Sequence, residues 1–194
     1  MKLKSFLKLA LLISIEIVFC FTPLGTIPIG PIAATLSMIP VIVASLLFGK
    51  AVGAVLGFVF ATCSFIFWTF IQPGYPTAFL FTPFSESAGY RGGFFSIVIC
   101  FLPRILAGIV PALITNNKNS VAKDALSSVL VSLTNTILVL LLILIFYKNQ
   151  YQTILGQNIL YVMGLTVLTN GIPECVICGF VCPIIKRAIK LIGE

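Results

Sequence analysis

The feature that most constrains the fold is an apolar run, 94–114, with an arginine near its centre. A run of this length is what a helix needs to cross the hydrocarbon core of a bilayer. Even on the lowest scales, an arginine at the middle of such a helix costs about 2.5–3.5 kcal/mol, and such residues usually face a partner or a water-filled cavity. We therefore expect Arg104 to face inward, toward a counter-group on another helix.

The composition agrees with a protein embedded in a membrane. Of the 194 residues, 59% are hydrophobic and only 9% are charged, which leaves more apolar surface than a soluble domain of this size could bury. The long apolar stretches also leave too little polar chain for a second domain. We predict a single all-α integral membrane domain over residues 1–194.

Six transmembrane helices are predicted from the apolar segments and their breaks. They run over about 7–21, 33–48, 50–71, 94–114, 125–147 and 158–185. Basic residues concentrate in alternate connections, and such a bias marks the cytoplasmic side. The residues predicted to be cytoplasmic are Lys2, Lys4, Lys8, Lys50, Lys118, Lys123, Lys186, Arg187 and Lys190, against Arg91 and Lys148 outside. Both termini are therefore predicted to be cytoplasmic.

Two connections, 22–40 and 72–93, are predicted to be extracellular and to form a lid. The first is rich in proline and glycine, which argues against a straight helix. The second is long and alternates turn-forming residues with aromatic ones. Long loops of this kind are usually functional or disordered, and the aromatic residues favour a packed lid.

A belt of polar residues is predicted at one depth in the bundle. At about 1.5 Å per helical residue, Arg104, Asn135 and Glu174 reach a similar level, and Asn170 lies one helical turn from Glu174. Such a belt is typical of a ligand cavity inside a bundle. The alternative is that Arg104 and Glu174 pair with each other and lock two helices together.

The cysteines and the lack of histidine argue against catalysis and a metal site. Cys175, Cys178 and Cys182 share a helical face, and three thiolates could hold a soft metal, but the face is otherwise apolar and the chain has no histidine. We interpret these cysteines as packing residues. No nucleotide-binding or nucleophile motif is present, so we expect neither an enzyme nor a cofactor bound by this chain.

Small residues recur at four-residue spacing on two helices. Gly49, Gly53, Gly57 and Ala61 lie on one face of the third predicted span, and Ala10 and Ser14 repeat the spacing on the first. Such faces let another helix approach closely. For the third span, packing within the chain is the preferred interpretation.

Several short motifs in this order resemble the substrate-binding S components of energy-coupling factor (ECF) vitamin transporters. The matching stretches are Thr22–Gly25, Ile39–Ile42, Leu47–Gly49, Gly53–Gly57, Phe81–Phe84, Pro103–Gly108, Ser132–Thr136 and Asn170–Glu174. The resemblance covers nearly the whole chain. It implies a six-helix S-component-like bundle in the bacterial plasma membrane that captures a vitamin from outside.

The resemblance also implies a ligand and partners. Pantothenate is the first choice, and we hypothesise that its carboxylate meets Arg104, its polar groups meet Asn135, Asn170 and Glu174, and its apolar part lies under Trp68, Phe81 and Phe84. The first helix, through Ala10 and Ser14 in place of the family's two alanines, would dock on a membrane scaffold (T) subunit bound to two cytoplasmic ATPases.

Two kinds of alternative remain open at this point. The vitamin could be cobalamin, folate or riboflavin. From a different class, the chain could be an integral membrane enzyme or assembly factor that acts on lipid through its basic cytoplasmic face.

Overall fold

The computed structural model describes residues 3–22, 26–27, 34–87, 89–115, 120–156 and 158–191, and is predominantly helical there. The α-helices are α1 (Leu3–Phe21), α2 (Met38–Phe48), α3 (Lys50–Ile66), α4 (Phe94–Thr115), α5 (Val121–Phe146), α6 (Lys148–Leu155), α7 (Ile159–Thr166) and α8 (Ile172–Leu191). Two-residue strands form two antiparallel hairpins, β1 (Thr26–Ile27) with β2 (Ala34–Thr35), and β3 (Glu86–Ser87) with β4 (Tyr90–Arg91). A 3₁₀ turn spans Ala78–Leu80, and π-helical turns span Phe67–Ile71 and Val167–Gly171.

Four helical segments are long and apolar enough to cross a membrane within these described ranges. They are Lys50–Ile71, Phe94–Thr115, Val121–Phe146 and Ile159–Leu191, where the first and last include the π-helical turns. The chain is thus a multi-pass membrane protein in which α1, with 19 residues, and α2, with 11, are the remaining helices of the predicted six. The six-span count and the orientation of the termini stay predictions.

The second helix is shorter than predicted. The expected span began near residue 33, but Ala34 and Thr35 belong to β2 and pair with Ile27 and Thr26. The remaining 11 residues of α2 reach about 16 Å, roughly half the hydrocarbon thickness. Because β2 lies against the π-helical turn Val167–Gly171, the hairpin occupies the space beyond the end of α2.

The connection between the predicted fifth and sixth spans contains a helix. Residues 148–155 form α6, whose Tyr151 is fully buried. Gly156 ends α6 in the left-handed region, at φ 63°, where glycine carries no Cβ penalty. The Asn158 side chain then caps α7 by accepting a hydrogen bond from the Leu160 amide at 3.0 Å.

Two helices approach each other closely where α3 crosses α4. A Cβ on Gly53 would overlap the Gly108 carbonyl oxygen, and a Cβ on Gly57 would overlap that of Arg104. Of the glycine face predicted from its four-residue spacing, Gly53 and Gly57 therefore pack within the chain, whereas Gly49 precedes α3 at φ 90° and a Cβ there would meet nothing within 4 Å. This crossing fixes the height and rotation of Arg104 relative to α3.

A buried ion pair joins α5 to α8 at the end of the bundle where Lys8 also reaches α8. The Lys186 ammonium donates to both Asp124 carboxylate oxygens, at 2.7 and 2.8 Å, and both side chains are 6% exposed. The Lys8 ammonium donates to the Ile189 carbonyl oxygen at 2.9 Å and so connects α1 to the same end of α8.

Candidate functional site

Arg104 is held by its own helix, through a carbonyl that the preceding proline leaves without its usual partner. Pro103 has no amide hydrogen, so the Ile99 carbonyl oxygen lacks the hydrogen bond that an α-helix would give it. The Arg104 Nη1 donates to that oxygen at 3.0 Å and to the Cys100 carbonyl oxygen at 2.9 Å. The Pro-Arg pair thus fixes the guanidinium inside the bundle.

Two aromatic rings complete the surroundings of the guanidinium. Its carbon lies 5.5 Å from the Phe60 ring centroid and 5.1 Å from that of Phe81, distances at which a ring face attracts a cation. The Nε of Arg104 is buried without a hydrogen-bond partner. Since arginine carries five N–H donors, the group retains capacity for an anionic or carbonyl acceptor.

Helix α5 contributes the Asn135 amide and the Thr136 hydroxyl to the site that Arg104 lines. Asn135 is half-buried and its Oδ1 is enclosed without a partner, whereas the Thr136 hydroxyl donates to the Ser132 carbonyl oxygen at 3.3 Å. A buried amide oxygen without a donor is costly. Asn135 is therefore placed to accept a hydrogen bond from a group that enters this space.

The third side of the site comes from the long helical segment that contains α7 and α8. Its π-helical turn, Val167–Gly171, ends two residues before Pro173, a residue whose missing amide would disturb a regular helix. Asn170 lies in this wide turn, Glu174 follows in the first turn of α8, and both are buried. π-Helical turns of this kind are frequent at functional sites.

The segment around Phe81 is anchored on three helical segments. The Ser96 hydroxyl at the start of α4 donates to the Phe79 carbonyl oxygen at 2.7 Å, and the Tyr147 hydroxyl at the end of α5 accepts from the Gly93 amide at 2.9 Å. The Ser85 hydroxyl donates to the Trp68 carbonyl oxygen at 3.0 Å. These bonds place the Phe81 ring over the guanidinium.

These groups line a cavity of about 50 Å³. Its lining residues are Phe60, Phe81, Arg104, Asn135, Thr136, Val139, Leu140, Thr166, Asn170 and Glu174. The volume is far below the roughly 300–1,000 Å³ of pockets that hold drug-sized ligands, so the cavity has room for very few non-hydrogen atoms.

Five of the seven predicted binding residues meet at this cavity: Phe81, Arg104, Asn135, Asn170 and Glu174. Two others lie elsewhere. Trp68 stacks behind Phe81, with ring centroids 5.6 Å apart and planes at 20°, and Phe84 is 66% exposed and packs edge-on against Phe65.

Sequence reasoning missed three residues of the lining that bear on its chemistry. Phe60 lies three residues after Gly57, so the glycine face that packs on Arg104 already indicated a nearby residue on α3. Thr136 adjoins the predicted Asn135, and Thr166 lies one turn before Asn170. Neither threonine could be recognised from sequence, because threonine in helices commonly donates its hydroxyl to a carbonyl of the preceding turn. Thr166 does so here, to the Val162 carbonyl oxygen at 2.8 Å.

The two small residues predicted for docking lie on the outer surface of α1. Ala10 and Ser14 are both exposed, and the Ser14 hydroxyl donates to the Ala10 carbonyl oxygen at 2.9 Å. The hydroxyl is therefore satisfied by its own helix. The surface around them is apolar, with Leu7, Leu11 and Ile17 at least 43% exposed.

Comparison with known proteins identifies the kind of protein that carries this site. The family model for the substrate-specific component of ECF transporters matches residues 4–186. The chain is also 35% identical, over 148 residues, to the pantothenic acid transporter PanT of Lactococcus lactis subsp. cremoris (strain MG1363). The aligned region covers 76% of this chain and 72% of that protein. On these grounds, the chain belongs to the family of substrate-specific components of ECF transporters.

Proposed function

We propose that this chain captures pantothenate from outside the bacterial cell membrane and delivers it to a scaffold subunit and two ATPases. The observation that carries the proposal is a buried arginine with an unused donor, Nε, opposite a buried amide oxygen with no donor, Asn135 Oδ1. A ligand that brings an anionic acceptor and a hydroxyl or amide donor satisfies both groups. The 35% identity to a pantothenic acid transporter supports this ligand.

The binding mode follows from the chemistry of the lining. The pantothenate carboxylate is placed on the Arg104 guanidinium, because charge-assisted hydrogen bonds to arginine are among the strongest available. Its hydroxyl and amide groups are placed against Asn135, Asn170 and Glu174, which line the opposite wall. Phe81 covers the apolar part from above, while Trp68 supports Phe81 from behind.

The small cavity implies that the binding site opens before the vitamin enters. The segment 72–93 is tied to α4 and α5 by hydrogen bonds of Ser96 and Tyr147, which hold it in place. Entry is proposed on the side of the connection 22–40, where β2 lies against the π-helical turn that holds Asn170. In this proposal the chain is a binding subunit and not an enzyme.

The ligand assignment is tested by isothermal titration of the purified chain with pantothenate, using Arg104→Met and, as a matched control, Arg91→Met. Arg91 is exposed on β4, and its Nε lies 3.4 Å from the Pro83 carbonyl oxygen. Truncating one side of a buried charge pair costs about 2–5 kcal/mol, so Arg104→Met is expected to weaken binding at least roughly 30-fold. The control is expected to bind like the parent chain.

The same titration includes riboflavin, folate and cobalamin as rival ligands. Tight binding of one of these without binding of pantothenate would reject the vitamin assignment. Equal affinity of the Arg104→Met and parent chains for pantothenate would reject the role of the arginine while leaving the ligand in place.

A further inference from the structure

A groove between α5 and α8 shares no lining residue with the cavity around Arg104. It has a volume of about 610 Å³. Its lining is apolar, with Ala125, Leu126 and Val129 on α5 facing Val176, Phe180 and Ile184 on α8. Leu126, Val176, Phe180 and Ile184 are each at least 52% exposed, so the groove is open on its outer side.

One end of this groove leads into a second depression with basic residues. That depression has a volume of about 330 Å³, shares Val121 with the groove, and is lined by Asp124, Lys186, Arg187 and Lys190. Asp124 is occupied by Lys186, at 2.7 Å. Lys186 thereby neutralises the charge of Asp124. The exposed Arg187 and Lys190 give this depression, the mouth of the groove, a net positive charge.

The dimensions of the groove match one leaflet of a bilayer. From Arg187 at the mouth to Cys175 at the far end, α8 rises about 18 Å, at 1.5 Å per residue. Half of the hydrocarbon core is roughly 15 Å. With Arg187 at the level of the lipid headgroups, a groove of this length reaches about the middle of the membrane.

We propose that this composite groove binds one anionic phospholipid, with its phosphate at Arg187 and Lys190 and an acyl chain along the groove between α5 and α8. Basic pockets beside membrane helices are a recognised arrangement for acidic headgroups. The positively charged mouth is continuous with an apolar groove as long as one leaflet. This favours a whole lipid over a free phosphate, because a free phosphate would leave the groove empty. In the predicted topology this lipid belongs to the cytoplasmic leaflet.

The proposal is tested on the full chain, purified and delipidated in detergent, by native mass spectrometry with added lipid. The probes are phosphatidylglycerol, phosphatidylcholine with the same acyl chains, and soluble glycerol phosphate. We expect one phosphatidylglycerol per chain, bound at least tenfold more tightly than phosphatidylcholine. Glycerol phosphate is expected not to bind at comparable concentration.

Two variants test separately how the mouth and the groove contribute to lipid binding. Arg187→Gln with Lys190→Gln is expected to weaken phosphatidylglycerol binding roughly 10- to 30-fold, since each basic residue near the surface contributes on the order of 1 kcal/mol. The matched control, Arg91→Gln with Lys148→Gln, removes the same charge from exposed residues outside the groove and is expected to have no effect. Ala125→Phe, which places a bulky side chain in the groove, is expected to weaken binding of both phosphatidylglycerol and phosphatidylcholine.

Three results would overturn the proposal. One is equal retention of phosphatidylglycerol and phosphatidylcholine; another is undiminished binding in the folded mouth variant, with folding checked by thermal melting. The third is an isolated chain that retains no lipid while Ala125→Phe abolishes co-purification with the scaffold subunit, because the groove would then be a protein-docking surface.

Discussion

At the scale of single residues, the site combines a partly satisfied charge, on Arg104, with an unsatisfied neutral oxygen, on Asn135. The Arg104 Nη1 uses two backbone carbonyls of α4, so the empty protein does not leave that donor group bare. Asn135 Oδ1, by contrast, is buried without a donor. The amide is therefore a stability cost in the empty state and a binding group when a ligand arrives.

Replacing Asn135 with leucine separates these two effects. Removing a buried unsatisfied acceptor in favour of an apolar group of similar size is expected to leave the melting temperature of the empty chain unchanged or to raise it. Pantothenate affinity is expected to fall about 10-fold, the equivalent of one hydrogen bond of about 1.4 kcal/mol. Thermal melting without ligand and titration with ligand measure the two quantities.

Thr134→Leu provides the control for that substitution. Thr134 is the exposed neighbour of Asn135, and its hydroxyl bonds the Leu130 carbonyl oxygen at 2.6 Å; the change is expected to alter neither quantity appreciably. A large loss of stability in Asn135→Leu would contradict this account of the amide.

The sequence was sufficient to predict that Arg104 faces inward, since a charge in an apolar span requires it. It was not sufficient to identify the partner of Arg104, because helix depth brings several groups to one level. The adjacency of Pro103 did hold the missing signal: a proline always frees the carbonyl four residues earlier, which here is that of Ile99.

At the scale of the elements, the site depends on the crossing of α3 and α4. Gly53 and Gly108 approach so closely that a side chain on either would overlap the backbone of the other helix. Moving α3 outward would carry Phe60 away from the guanidinium that it contacts. The crossing therefore couples the stability of the bundle to the shape of the cavity.

Gly108→Val tests this coupling. The added side chain must displace the backbone of α3, and overpacking of this kind is expected to cost about 3 kcal/mol or more, visible as a lower melting temperature. Gly164→Ala on α7 is the matched control, because nothing lies within 4 Å of the position and alanine favours a helix by about 1 kcal/mol. A tolerated Gly108→Val would show that the crossing adjusts freely.

The breaks between elements could be predicted better than their form. The prolines near residues 23–40 and at 173 indicated interrupted helices, yet the first interruption includes a β-hairpin and the second is a π-helical turn inside one long segment. Both forms depend on tertiary packing, since β2 and the π-helical turn lie against each other. Local sequence carries little information about such contacts.

At the scale of the whole molecule, α1 leaves one side open for a partner. Ala10 and Ser14 are exposed, and on the inner side Leu12 and Glu16 are buried. A helix with small residues on its outer face permits close approach by another helix. This arrangement supports the proposed docking of α1 on the scaffold subunit.

Ala10→Trp with Ser14→Trp is expected to reduce co-purification of the scaffold and ATPase subunits at least 10-fold. Because these side chains lie outside the cavity lining, pantothenate binding by the isolated chain is expected to remain unchanged. Leu141→Trp on α5, where leucine is 44% exposed, is the control for a bulky residue on the lipid-facing surface. Undiminished co-purification of the double variant would place the docking surface elsewhere.

The distribution of cysteines has a practical consequence for studying motion in this protein. Cys20, Cys63, Cys100, Cys175, Cys178 and Cys182 are all free thiols and all buried. A thiol-reactive probe on a single cysteine introduced at an exposed position, such as Phe84, would therefore label mainly that position in the folded chain. The native background is thus suited to spectroscopic distance measurements between pairs of introduced cysteines, in both ligand-free and ligand-bound protein.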